Sequence, residues 1–145
     1  MNNKSLGQYG EEYTYQYLKN KGYLILERNF RNKLGEIDLI AKDGKVICFI
    51  EVKTRESLDY GAPFEAVNLT KQHKMVKIAL SYLKYKFYTI DILSRFDVIS
   101  IYRPPQGKPI VEHIINAFDL TYLSHWQSKY KPLDLHLNLL ITYVL

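Results

Sequence analysis

The segment from residue 35 to residue 55, GEIDLIAKDGKVICFIEVKTR, constrains the fold of this chain more than any other. It contains two runs of apolar and β-branched residues, separated by Asp43-Gly44, a dipeptide that is typical of tight hairpin turns. The pattern therefore predicts a β-hairpin. Charged residues interrupt both apolar strands: Asp38 in the first, and Glu51 and Lys53 in the second.

These three charged side chains are predicted to lie close together. Successive side chains of a strand point to opposite faces, so Glu51 and Lys53 share one face and Val52 points to the other. The hairpin also folds Asp38 back alongside Glu51. We therefore expect two carboxylates and one amine at one place on an otherwise hydrophobic hairpin.

The composition indicates one globular domain with a basic surface. The chain has 145 residues, of which 47% are hydrophobic, and this is enough for a single core. Lys and Arg number 20 against 15 Asp and Glu, which gives a formal net charge of +5. This excess favours a polyanionic partner such as nucleic acid but does not require one.

Several classes of protein are disfavoured. Cys48 is the sole cysteine, which excludes an intramolecular disulfide and a Cys-based zinc site, and its place in an apolar strand indicates a buried, inert thiol. The four histidines lack the spacing of metal ligands. The chain opens with a polar segment rather than a signal peptide, and no apolar stretch reaches the roughly 18 residues that span a bilayer. We expect a soluble, cytoplasmic protein with no membrane partner.

Periodicity predicts an α/β fold with a mixed sheet flanked by helices, in the order αβββαββ. The first helix is expected from Ser5 to about Lys21, and the second, capped by Thr70, from Lys71 to about Lys86. The strands are expected at residues 23–26, in the hairpin, and at 96–102 and 110–118. Residues 1–118 would form the domain. Residues 119–145 would be a C-terminal extension that serves as an edge strand, a dimer contact or a docked segment.

One face of the first helix carries small residues and an acid. Gly7, Gly10, Glu11, Thr14 and Leu18 coincide at helical spacing. Small residues allow a helix to approach a sheet closely, so this face is expected to pack on the hairpin. Glu11 either joins the acids of the hairpin or is an ordinary carboxylate favoured near a helix start.

Basic residues are concentrated in two places. The segment at residues 28–33, predicted to be a loop, interleaves cations with Phe30, and the start of the second helix is cationic although this opposes the helix dipole. Contact with phosphates explains both, and so does a solvated basic surface. The candidate nucleic-acid contacts are Arg28, Arg31, Lys33, Arg55, Lys71 and Lys74.

The hairpin residues are of the types that phosphodiester hydrolysis needs. A hard cation neutralises the developing charge and lowers the pKa of the attacking water. Mg²⁺ or Mn²⁺ could be held by Asp38, Glu51 and the backbone carbonyl of Val52. Lys53 would orient or deprotonate that water and stabilise the pentavalent phosphorane, and Glu11 would add a carboxylate to the outer shell of the metal. The simpler alternative is that Glu51 and Lys53 form a solvated ion pair, which is worth little.

The hairpin motif and several other segments of the sequence resemble those of known families. Gly35-Glu36-Ile37-Asp38 followed by Glu51-Val52-Lys53 resembles the PD-(D/E)xK nuclease signature, with isoleucine in place of the proline. A fuller pattern across residues 5–118 resembles the YraN-like family of small bacterial proteins. The matching segments are Gly10-Glu11, Tyr17-Leu18, Arg28-Asn29-Phe30-Arg31, GEIDLI, FIEVKTR, Lys71-Gln72 and Arg95-Phe96-Asp97-Val98.

The resemblance implies a restriction-endonuclease-like fold similar to that of archaeal Holliday-junction resolvases. It also implies a metal-dependent nuclease with Glu11, Asp38, Glu51 and Lys53 as catalytic residues. The first hypothesis is therefore a Mg²⁺-dependent endonuclease that acts on DNA, including branched or junction DNA. The alternatives are a nucleic-acid-binding module that does not cleave, and a structural partner in a DNA-processing complex. A homodimer is expected because a symmetric junction has two equivalent scissile sites.

Overall fold

The computed structural model describes residues 3–59, 67–89 and 91–118, which form two helices and one five-stranded sheet. The elements in chain order are α1 (Asn3–Asn20), β1 (Leu24–Asn32), β2 (Gly35–Asp43), β3 (Val46–Arg55), α2 (Leu69–Phe87), β4 (Ser94–Tyr102) and β5 (Ile110–Phe118). The predicted order αβββαββ and the α/β class are confirmed. The arrangement is consistent with a restriction-endonuclease-like fold.

The sheet is mixed, with its strands in sequence order from β1 to β5. Strands β1, β2 and β3 form an antiparallel meander, β3 and β4 are parallel, and β5 is antiparallel to β4. The predicted hairpin is therefore β2–β3, and Gly44 takes a left-handed φ of 58° at its turn. Helix α2 makes the crossover that the parallel pair needs.

The two faces of the sheet are covered by different helices. Helix α2 buries the predicted stripe of Met75, Ile78, Ala79, Tyr82 and Leu83, together with Val76, and these residues form one core with Phe49 and Phe96. Helix α1 covers the other face with Gly10, Thr14 and Leu18. Leu18 packs there with Leu39, Cys48, Ile50 and Ile99.

The predicted basic loop at residues 28–33 is wrong for most of its length, because β1 continues to Asn32. Arg28 pairs with Leu39 and Phe30 pairs with Ile37, so these residues belong to the sheet. Asn29, between them, has a left-handed φ of 51°, a conformation that Asn tolerates better than most residues. Polar composition suggested a loop, whereas the packing of Phe30 on the α2 core keeps the segment in the sheet.

Strand β2 breaks its alternation of faces at Asp38. Leu39 lies in the core under α1, but Ile37, two residues earlier, lies in the core under α2. A regular strand would place both on one face. Asp38 lies between the pairs Arg28–Leu39 and Phe30–Ile37, at the same level as the left-handed Asn29.

Helix α2 begins two residues before its predicted start. Asn68, not Thr70, is the N-cap, and its side-chain oxygen accepts a hydrogen bond of 2.9 Å from the Lys71 amide. Gln72 donates from its side chain to the Val67 carbonyl at 2.9 Å. Asn and Thr are both good caps, so composition alone did not distinguish them.

The Arg95-Phe96-Asp97-Val98 segment contains a buried charge network. Asp97 is fully buried and lies 3.0 Å from Arg95 Nε and 2.9 Å from His113 Nε2, and it accepts a hydrogen bond of 2.9 Å from the Asn116 amide. Burial alone would raise the pKa of Asp97, but these hydrogen bonds hold it below its usual value. Arg95 also reaches Asp43, so the network joins β4 and β5 to the end of β2.

Two further expectations concern single features. Cys48 is buried, as predicted, and burial raises the pKa of its thiol to about 12, with a contribution from the Asp97 charge. None of the helices within the described residues is long and apolar enough to cross a membrane. The predicted C-terminal extension, residues 119–145, lies outside the described residues.

Candidate functional site

The candidate site lies where strands β2 and β3 separate. Their ladder runs from the pair Asp43–Val46 to the pair Leu39–Ile50. Beyond it β2 continues to Gly35 beside β1, and β3 continues to Arg55 beside β4. The two strands therefore diverge at Asp38 and Glu51, and side chains from both helices reach the gap.

Asp38 bridges the opening between the strands. Its Oδ2 accepts a hydrogen bond of 2.8 Å from the Val52 amide, so a side chain takes the place of a ladder contact. Burial raises the pKa of the Asp38 carboxyl to about 7, and the negative charges of Glu51 and Glu11 add to this effect. The predicted neighbourhood of Asp38 and Glu51 is thus present in the structure.

Glu51 is a buried carboxylate between two ammonium groups. It is 4% exposed. Lys53 Nζ lies 3.0 Å from Oε1, and Lys71 Nζ lies 3.2 Å from Oε2. The first contact agrees with the prediction that Glu51 and Lys53 share a face of the strand. The second comes from α2 and explains why a lysine is favourable in the first turn of that helix.

The cleft at this opening has a volume of about 260 Å³, and most of its charged lining residues are acids. Among the described residues that line it are four acids and one cation: Glu11, Glu36, Asp38, Glu51 and Lys71. The first turns of helix α1, which include Gly7, form one wall of the cleft. Glu11 therefore lines the same cleft as the hairpin acids, which is one of the two alternatives that the sequence left open.

Helix α1 can form this wall because Gly10 has no side chain. A Cβ atom at Gly10 would overlap Oγ1 of Thr54 on β3 and would lie 3.0 Å from its Cβ. The glycine thus allows the helix backbone to approach β3 closely. This approach brings Glu11 to the edge of the cleft.

The donor set of the cleft suits a hard divalent cation. Within the described residues, no three Asp, Glu, His or Cys side chains are close enough together to hold a metal ion by themselves. Mg²⁺ nevertheless keeps several waters and needs only one or two carboxylates. Oε2 of Glu51 is buried and accepts no hydrogen bond from a described residue, because Lys71 is within ion-pair distance without hydrogen-bond alignment. Asp38, Glu51 and the Val52 carbonyl could therefore hold such an ion.

A larger groove on α1 is less suited to this chemistry. Its volume is about 900 Å³, and it is lined by polar residues and by Tyr9, Tyr13 and Tyr17. Glu12 is the one acid among the described residues that line it. The carboxylate cluster, rather than the volume, identifies the smaller cleft as the candidate site.

The predicted nucleic-acid contacts do not form one surface patch around the cleft. Lys71 lines the cleft, and Arg31 pairs with Glu36 of its lining at 2.9 Å. Arg28 instead pairs with Glu12 at 2.7 Å and stacks on Tyr15 of α1. The other three predicted contacts lie at the β1–β2 turn, at the end of β3 and on the exposed side of α2: Lys33, Arg55 and Lys74.

Two features of the site were not predicted from the sequence: the place of Glu36 in it and the contact of Lys71 with Glu51. Glu36 was not selected, although it is two residues before Asp38 in the same motif and alternation would have indicated it. Lys71 was predicted only as a nucleic-acid contact, and its contact with Glu51 depends on tertiary packing that no local pattern reports.

Comparison with known proteins places the chain in a family. The model of "Uncharacterised protein family UPF0102" matches residues 10–101, which include the four acids and the lysine that line the cleft. A UPF0102 protein of Geobacter metallireducens is 52% identical over 122 residues, covering 84% of this chain and 98% of the relative. One of Dictyoglomus thermophilum is 48% identical over 122 residues, covering 81% of this chain and 100% of the relative.

A third relative, from Clostridium botulinum, is 54% identical over 99 residues, covering 68% of this chain and 80% of its own length. The family match covers α1 from Gly10 onward, all of α2, and the strands that carry Asp38, Glu51 and Lys53. The resemblance to YraN-like proteins is therefore confirmed at the level of the family: this chain belongs to the UPF0102 family.

Proposed function

We propose that this protein is a metal-dependent endonuclease that acts on DNA, including branched or junction DNA, by attack of water on a phosphodiester. The observation that carries the proposal is the cleft at the opening between β2 and β3, where four carboxylates and one ammonium face a small volume. Carboxylates placed this close together favour the binding of a cation. The basic net charge of +5 suits a polyanionic substrate.

The predicted catalytic residues have distinct parts in this proposal. Asp38, Glu51 and the Val52 carbonyl would hold Mg²⁺ or Mn²⁺. A bound ion would supply neutralisation of phosphate charge and a more acidic water. Lys53, 3.0 Å from Glu51 Oε1, forms an ion pair with that carboxylate and would offer its ammonium to the charge that develops on the phosphate. Glu11 orients water and adds negative charge at the rim.

Cleavage assays on purified protein test the proposal. Linear, flapped and four-way-junction DNA would be incubated with wild type in Mg²⁺ or Mn²⁺, in parallel with Asp38→Asn, Glu51→Gln and Lys53→Met. We expect cutting by wild type and a loss of about 100-fold or more in each variant, the scale for removing one charge-stabilising group.

Asp91→Asn is the matched control, because Asp91 is exposed and precedes β4 far along the chain from the cleft residues. It should cut like wild type. Absence of cutting on every DNA, or equal cutting by Asp38→Asn, would contradict the proposal.

The second candidate is a nucleic-acid-binding module that does not cleave. It is favoured by the pairing of both Glu51 oxygens with lysines, an arrangement that compensates the carboxylate without a metal. Under this alternative, DNA binding would weaken steeply with salt in the absence of any divalent ion. Asp38→Asn would then tighten metal-free binding because it removes a negative charge, while wild type would cut none of the substrates.

A homodimer and a cytoplasmic location are part of the first proposal. A symmetric junction presents two equivalent scissile bonds, and a two-fold dimer matches this symmetry. Analytical ultracentrifugation with and without four-way-junction DNA would report the dimer, and a purely monomeric complex would contradict it.

A further inference from the structure

Lys71 has a position that a simple phosphate contact does not explain. Its ammonium lies 3.2 Å from Glu51 Oε2, and it is the cation among the described residues that line the acidic cleft. Lys53, by contrast, lies on Oε1 and does not line the cleft. The oxygen nearest to Lys71 is therefore the one that a cation in the cleft would use.

Another cation can replace the Lys71 ammonium in its contact with Glu51. Oε2 is buried but accepts no hydrogen bond from a described residue, so Lys71 compensates its charge without satisfying its lone pairs. The Lys71 side chain is 31% exposed, whereas that of Glu51 is 5% exposed. A lysine has a flexible four-carbon stem, so its ammonium can move while Glu51 stays in place.

The backbone of Lys71, unlike its side chain, is fixed. The Asn68 side chain accepts from the Lys71 amide at 2.9 Å, and the Gln72 side chain donates to Val67 at 2.9 Å. These contacts hold the first turn of α2 beside the cleft. If the Lys71 ammonium moved away from Glu51, it would therefore stay close to the cleft, within reach of the Lys71 side chain.

We propose that Lys71 and a divalent cation compete for Oε2 of Glu51, and that the displaced ammonium then pairs with a phosphate oxygen of the substrate. Lys71 thus neutralises Glu51 in the metal-free protein and contacts the substrate when the metal is bound. This rests on the proposed function, since it takes the same cleft as the metal site. The proposal predicts that substitution of Lys71 strengthens the binding of the metal and weakens the binding of DNA.

The test compares Lys71→Met with wild type in two binding measurements. Mn²⁺ binding to metal-free protein would be followed by the electron paramagnetic resonance signal of free Mn²⁺ at constant ionic strength. We expect Lys71→Met to bind Mn²⁺ about tenfold more tightly, because the competing charge is gone. Binding of a short fluorescent DNA duplex in Ca²⁺ should become weaker by a similar factor.

Matched variants assign these effects to the cleft. Lys77→Met removes a cation from the exposed side of the same helix and should leave Mn²⁺ affinity unchanged. Adding Asp38→Asn to Lys71→Met should abolish the gain in Mn²⁺ affinity. Lys71→Gln serves if the methionine variant does not fold, as checked by circular dichroism.

Unchanged or weaker Mn²⁺ binding in Lys71→Met, with clear binding in wild type, would overturn the inference and leave the proposed function standing. Absence of Mn²⁺ binding in both proteins would overturn the proposed metal site and the inference with it.

Discussion

Asp38 holds two strands together but lies in surroundings that disfavour its negative charge. It bridges the diverging strands through its hydrogen bond from the Val52 amide, yet it does so in a buried position beside Glu51 and Glu11. These surroundings raise the pKa of its carboxyl to about 7 from an ordinary 3.8. A carboxyl placed against other acids is unfavourable for folding but suits a site that binds cations.

The raised pKa makes the stability of the metal-free protein depend on pH. Between pH 3.8 and about 7 the folded state holds a proton on Asp38 that the unfolded state has released. The free energy of unfolding therefore falls as pH rises through this window. Above about pH 7 the full cost of ionising Asp38 in the folded protein is present.

Asp38→Asn should remove this cost while it keeps the hydrogen bond from Val52, because the amide oxygen can still accept. We expect the variant to be more stable than wild type at pH 8, by on the order of 2–4 kcal/mol. The gain should decline as pH falls and vanish near pH 4. Urea unfolding in EDTA at pH 4, 6 and 8 measures it.

Asp91→Asn is the control for this series, because Asp91 is exposed and its substitution should change stability little at any of the three pH values. A loss of stability in Asp38→Asn at pH 8 would contradict the electrostatic explanation.

Helix α1 is the element whose position depends most on one residue. Gly10 allows its backbone to approach Thr54, and Glu11, the next residue, thereby reaches the cleft. A methyl group at position 10 would force Thr54 to rotate or the helix to move outward. The same displacement would withdraw Glu11 from Asp38.

Gly10→Ala should lower the free energy of unfolding by about 1–3 kcal/mol, the usual cost of overpacking, although alanine is the better helix former. Gly7→Ala is the matched control on the same helix, because nothing lies within 4 Å of the added atom. It should raise stability by about 0.5–1 kcal/mol. Thermal or urea unfolding separates the two variants, and similar effects at both positions would contradict the close-approach argument.

At the scale of the whole molecule, the order of elements was predictable because each element has a clear local pattern. Residues 110–118 are β5 as expected, since the segment Arg103-Pro104-Pro105-Gln106-Gly107 ends the preceding strand at Tyr102. The stripe of α2 was found from its helical period. The acids of the hairpin were found because they interrupt apolar strands.

Other features depend on contacts that no local pattern contains. Strand β1 extends to Asn32 because Phe30 packs under α2, although its Arg and Asn residues resemble a loop. The left-handed Asn29 and the change of face at Asp38 lie between the same two residue pairs of β1 and β2, and no local pattern in the sequence indicates either of them. The contact of Lys71 with Glu51 joins residues on α2 and β3, so it appears only when the helix is placed on the sheet.

The cleft at the opening between β2 and β3 should bind a divalent cation through Asp38 and Glu51. The most direct test is a crystal structure of wild type soaked in Mn²⁺, with the metal located by its anomalous signal. We predict a peak between these two carboxylates, with Lys71 moved away from Glu51. A structure with no anomalous peak in the cleft, and with Lys53 and Lys71 still paired to Glu51, would contradict the account.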